Sequence, residues 1–127
     1  MEDYNLADLG DILKSAADTI NQRLQDEVGV LDYPTVQSLT NKSQDLLFKA
    51  KELYEQEAVA IADDGKASLD NLKEATDEIN NAIKTIGDVQ KVINIATGLV
   101  AVAGSVLTMN LNGIVSGVKD IVGAVKE

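Results

Sequence analysis

Three groups of side chains have the types and spacing to suggest chemistry. The first is acidic: Asp63, Asp64 and Asp70 surround Gly65, and Glu74 is the twelfth residue counted from Asp63. A calcium loop of the EF-hand kind needs oxygen donors at alternating positions, a central glycine and a bidentate glutamate at the twelfth. Here the leading aspartates are adjacent and little before Glu74 fits, so a solvated turn without metal is expected. The second group is Glu52, Glu55, Asp77 and Glu78. Paired carboxylates do acid–base work when they are buried and held close, and these four fall on exposed helix faces. Glu57 instead projects onto an apolar stripe near a helix end, where it can reach water or pair with a lysine. The chain has no histidine and no cysteine. Histidine-assisted nucleophiles, imidazole ligation, thiolate chemistry and disulfides are therefore excluded. Gly98, Gly104, Gly113, Gly117 and Gly123 do not follow a strand in a nucleotide-binding pattern. No catalytic residue and no cofactor are expected, and the chain reads as non-enzymatic.

The third group is apolar and concerns contact. Phe48 projects about 180° from the stripe of Leu39, Leu46 and Leu53, among Asp45, Lys51, Glu52 and Glu55. Val59 shares that projected face. A lone apolar residue on a surface is common. The single phenylalanine on an otherwise polar face marks Phe48, with Val59, as a candidate contact to another subunit or partner. Thr97, Ala101 and Ser105 recur every four residues, and Gly113-Ile-Val-Ser-Gly117 spaces two glycines four apart. Small residues at that spacing let helices approach closely, in a membrane or in a soluble bundle.

The elements that must carry these residues are helical. Leu6, Leu9, Leu13, Ala16, Ile20, Leu24 and Val28 step by three and four, so one helix is expected over 5–28. Asp8, Asp11, Asp18, Arg23 and Asp26 lie mostly on its other side. Pro34 suits the first turn of a second helix, over 34–62. Its stripe is Val36, Leu39, Ser43, Leu46, Leu47, Ala50, Leu53, Tyr54 and Ile61. Asp63-Asp64-Gly65 then reads as a helix stop. A third helix, over 67–86, carries the seam Leu69, Leu72, Thr76, Ile79, Ile83 and Ile86, with Ser68 near its start. Projected at 100° per residue, that seam is about 100° out of phase with the apolar residues that follow, which places a break near Gly87 with Asp88 as N-cap. Residues 89–108 form a mostly apolar helix, Met109 to Gly113 a tight connection, and 113–125 a short amphipathic helix. The expectation is one all-α domain over 1–127. It is an up-and-down bundle of four or five helices whose central helix lies near 89–108 and whose region 89–126 is hairpin-like.

Composition agrees. Apolar residues are 45% of the 127 and aromatic residues 3%, with one proline, which favours long helices over a sheet sandwich. The net charge of −10 lies wholly in residues 1–91, because 92–127 hold only Lys119, Asp120, Lys126 and Glu127. An acidic front repels nucleic acid and anionic lipid, so neither is expected as a partner.

Residues 92–115 contain no charge, and about 20 apolar residues are enough to cross a bilayer. Asn94, Thr97, Ser105, Thr108, Asn110, Asn112 and Ser116 lower the drive for insertion. The final helix is short and carries Lys119 and Asp120. The soluble bundle is therefore the main expectation, acting through a protein partner or as a homo-oligomer. In layout the chain resembles the alpha-helical pore-forming toxins, through its long amphipathic helices and this one charge-free segment. The resemblance implies a second expectation: residues 92–118 are sheltered in the soluble form and enter a membrane on a trigger. The acidic start, MEDYNLADLGD, lacks the apolar run of a secretory signal. The expected location is the cytoplasm, or outside the cell by a route without a classical signal peptide.

Overall fold

In a computed structural model, which describes residues 2–56 and 58–126, the chain is an all-α bundle. Among the described residues there are six helices, one more than the upper expectation. They are α1 (Leu6–Asp26), α2 (Tyr33–Glu55), α3 (Asp63–Glu74), α4 (Thr76–Thr85), α5 (Val89–Leu107) and α6 (Leu111–Lys126). A short antiparallel ribbon joins β1 (Glu2–Tyr4) to β2 (Val59–Ile61), with Tyr4 opposite Val59 and Glu2 opposite Ile61.

Local signals start the helices. Asn5 accepts the Ala7 N–H at 3.0 Å, Asp32 the Thr35 N–H at 3.0 Å, and Asp88 the Gln90 N–H at 3.0 Å. Each side chain satisfies a donor that the first helical turn leaves open. Pro34 stands in the first turn of α2, where its missing N–H costs nothing. The break at Gly87 and the Asp88 cap lie where the phase mismatch put them.

Three boundaries differ most from expectation. The second helix stops at Glu55, not at residue 62, and Val59 and Ile61 enter a strand. Both are β-branched, which suits a pleated backbone, and their partner is the distant N-terminus. Asp63-Asp64-Gly65 opens α3 instead of closing a helix; acidic groups in a first turn suit the helix dipole. The third segment is also two helices, divided at Ala75. The Thr76 hydroxyl donates back to the Leu72 carbonyl at 3.4 Å, a local competitor of the helical ladder. The division has a packing purpose, because α3 lies mainly against α6 while α4 lies mainly against α1.

The helices form two hairpins, α1–α2 and α5–α6, which pack on each other chiefly through α2 and α5 and are connected along the chain by α3 and α4. One contiguous core runs through all of them. Leu39, Ser43, Leu46, Ala50 and Leu53 bury a narrow seam of α2 at alternating steps of four and three. On α5 the buried face is broader: Val92, Ile95, Ala96, Leu99, Val102, Ala103 and Val106. α5 is not wrapped on every side, however. Gln90, Asn94, Thr97, Ala101 and Thr108 are exposed along its outer face.

Candidate interaction surface

The acidic groups of the calcium-like stretch are far apart. Asp63 and Glu74 are the first and last residues of the twelve-residue α3, so their backbones lie about 16 Å apart along its axis. Among the described residues, no three acidic side chains gather as a metal site would require. Glu55, Asp77 and Glu78 are exposed and Glu52 is half-buried. Glu57 lies outside the described residues.

A belt of polar contacts instead makes α1 the hub of the fold. Its partners come from three helices. The Tyr54 hydroxyl donates to Asp11 Oδ1 at 2.6 Å, Ser43 Oγ to Asn21 Oδ1 at 2.7 Å and Asn80 Nδ2 to Ser15 Oγ at 2.6 Å. Lys73 Nζ is 3.7 Å from Asp8 Oδ2. Arg23 is the one charged member of the belt that is buried, at 6% exposure. Its Nη1 donates to the Ile83 carbonyl at 2.8 Å, and its Nε reaches Glu27 Oε2 at 2.9 Å. Ile83 is in the last turn of α4, whose carbonyls lack helical partners, so the guanidinium caps one helix from another. Helical projection put Arg23 on the polar side of α1; its burial corrects that. Burial, the bond to Asp11 and the nearby carboxylates of Asp11 and Asp18 push the Tyr54 phenol up to about 12. Burial foremost, then Asp8 and Asp70, raises the Tyr4 phenol further. Among the described residues, the Tyr4 hydroxyl and Asn80 Oδ1 are buried and find no hydrogen-bond partner.

The apolar candidates separate. Phe48 is 66% exposed on the outer face of α2. Val59 does not share that face: it is half-buried on β2 and packs on the core. The change from helix to strand turned it inward. Val28, expected on the buried stripe of α1, lies beyond the end of that helix and is 79% exposed. Val30 and Tyr33 join it at the α1–α2 corner.

The small residues separate too. Thr97 and Ala101 face solvent and receive no helix. Ser105 is half-buried and touches Gly113, where a β-carbon would collide with its hydroxyl. At Gly117 a β-carbon would stand 2.7 Å from Val102 Cγ2, and at Gly98 it would stand 2.8 Å from Ile121 Cγ1. The α5–α6 contact therefore uses Gly98, Ser105, Gly113 and Gly117. Gly98 was visible only as part of the small-residue arc, because which edge of that arc meets α6 is a tertiary fact.

A shallow groove of about 520 Å³ lies between α6 and the α3–α4 junction. Val115, Val118, Val122 and Ala75 give it an apolar lining. Lys119 and Lys126 stand on the α6 side, and Glu74 and Glu78 on the other. A second groove, between α1 and α4, is lined by Asp11, Lys14, Asp18, Gln22, Arg23 and Lys84 among others, all of them polar or charged residues. By length and composition α5 is apolar enough to cross a membrane, and 39% of its most apolar window is buried. Comparison with protein-family models, curated proteins and solved structures finds no match.

Proposed function

We propose that this chain is a non-enzymatic helical bundle that acts by binding protein, with its own copies included as partners. The supporting observation is the outer face of α2. That helix spends a five-residue seam on the core and presents Phe48 to water at 66% exposure. An exposed aromatic ring is an efficient anchor, because it removes a large apolar area from water on docking while freezing few torsions. Light scattering over a concentration series is the test. A mass that rises with concentration, and a Phe48→Asp variant that stays near the monomer, support self-association. A wild-type mass fixed at the monomer's 13.5 kDa removes it.

A second reading has its own supporting observation. The α5–α6 hairpin is closed by its own turn and by its own glycine contacts, and α5 is long enough to span a bilayer. A membrane-active form would release that hairpin as a unit. Flotation with neutral-lipid vesicles, at neutral and at acidic pH, separates the two readings. Protein that rises with lipid supports insertion, and protein that stays below at both pH values opposes it.

A further inference from the structure

Phe48 and the α3/α4–α6 groove belong to different helices and share no residue, yet their patterns match. We infer that Phe48 of one copy seats in this groove of the next copy, so that chains associate head to tail. The inference deepens the self-association reading and rests on it.

The match is one of spacing and of sign. On α6, Lys119 and Lys126 are seven residues apart along one side of the apolar floor, about 10.5 Å by helical rise. On α2, Asp45 and Glu52 are also seven apart and lie about 40–60° to one side of Phe48 in projection. Lys51 lies about 60° to the other side. A helix laid along α6 can run in either of two directions. In one of them both carboxylates of α2 meet both lysines of α6, and Lys51 meets the wall of Glu74 and Glu78. The equal seven-residue intervals stay in register when the two helices are nearly aligned, a common class of helix packing. Phe48 then covers the valine floor.

Two further features favour this docking. The present partners of the α2 charges are local: Lys49 lies 3.4 Å from Glu52 and Lys51 lies 3.9 Å from Glu55. The first pair is half-buried and the second exposed, both are long, and near-surface pairs within one helix are weak, so exchanging them costs little. The α6 wall also belongs to residues 92–127, which are net neutral, while the excess of negative charge lies in 1–91. A second acidic copy meets less repulsion at that wall than at most of the surface. Knob and groove being different surfaces, the contact is heterologous, and each added copy leaves one of each free.

Sedimentation equilibrium from about 10 µM to about 1 mM, at about 0.15 M salt, tests this. The wild-type mass is expected to rise without levelling at a dimer. Phe48→Ala and Phe48→Asp spoil the knob, and Lys119→Glu with Lys126→Glu spoils the groove. Each is expected to weaken association at least about tenfold. All three positions are exposed, and circular dichroism checks that the variants fold. An equimolar mixture of the knob and groove variants should stop at a heterodimer, because one intact knob then meets one intact groove. A mixture that stays monomeric, or one that keeps growing, overturns the pairing. Self-association that no variant weakens overturns it too, while leaving the broader reading in place. A wild-type mass that never rises removes both.

Discussion

Gly65 and Gly87 each stand beside an aspartate in a place where sequence suggests a break, but they serve different ends. A β-carbon at Gly65 would lie 2.7 Å from Ile61 Cγ2 and 2.9 Å from Leu111 Cδ1, whereas at Gly87 it would meet nothing within 4 Å. Gly65→Ala should therefore lower stability by about 1–3 kcal/mol through overpacking. Gly87→Ala should be neutral, or stabilise by up to about 1 kcal/mol, through lost freedom of the unfolded chain. Urea midpoints of the two variants decide this, and equal shifts would contradict the packing. Tyr54 gives a second test. Its folded pKa is raised to about 12, so the folded state favours the protonated phenol. The stabilisation is complete below the ordinary phenol value near 10 and is lost as pH rises from there towards 12. Tyr54→Phe should flatten part of that alkaline loss in urea midpoints followed from about pH 9 to about pH 12. An unchanged slope would show that titration of the Tyr54 phenol does not drive the alkaline loss. Neither the packing of Gly65 nor the burial of Arg23 could be read from spacing. Gly65 looked like a stop because Asp-Asp-Gly is a turn composition, and Arg23 looked exposed because its carbonyl partner lies 60 residues away.

At the scale of elements, α1 and α5 were legible because a continuous three-and-four spacing outlasts any local ambiguity. The end of α2 and the division at Ala75 were not, because each depends on what the segment packs against. The α5–α6 connection combines both kinds of information. It is shorter than the five residues expected: Met109 donates to the Val106 carbonyl at 3.1 Å and Asn110 to the Ser105 carbonyl at 2.8 Å. That pair of bonds is a Schellman closure of α5. Asn110 then accepts the Gly113 N–H at 3.1 Å and so opens α6. Met109 holds the left-handed position at φ 58°, where a β-carbon costs about 1–2 kcal/mol. Glycine avoids that cost but gives back about 0.5–1 kcal/mol in chain entropy. Met109→Gly should thus raise stability by about 0.5–1 kcal/mol, since the exposed side chain contributes little packing. A lowered thermal midpoint would mean that the thioether matters more than the backbone.

One apolar core holds the whole molecule, α1 included. The ties from α1 to α2, α3 and α4 add to it the hydrogen bonds and ion pair of the polar belt. The described contacts of α5 and α6 with the rest are largely those of the shared apolar core, and Lys91 has a polar interaction as well. Phe48 was legible from one helix alone, because a face is a property of one helix. The groove was not, because its walls come from α3, α4 and α6 and exist only once those helices are placed. Val59 failed for the converse reason: a face computed for a helix means nothing once the segment is a strand.

That strand also bears on when the molecule folds. Tyr4 pairs with Val59, so the ribbon closes a chain segment that contains all of α1 and α2. Such a long loop is costly to close before the helices within it have condensed. The ribbon should form after the main barrier and act as a latch on unfolding. Tyr4→Ala should therefore speed unfolding several-fold and leave the refolding rate nearly unchanged. Stopped-flow measurements in urea would show the effect on the unfolding limb, and a slowed refolding limb would place the latch in the nucleus instead.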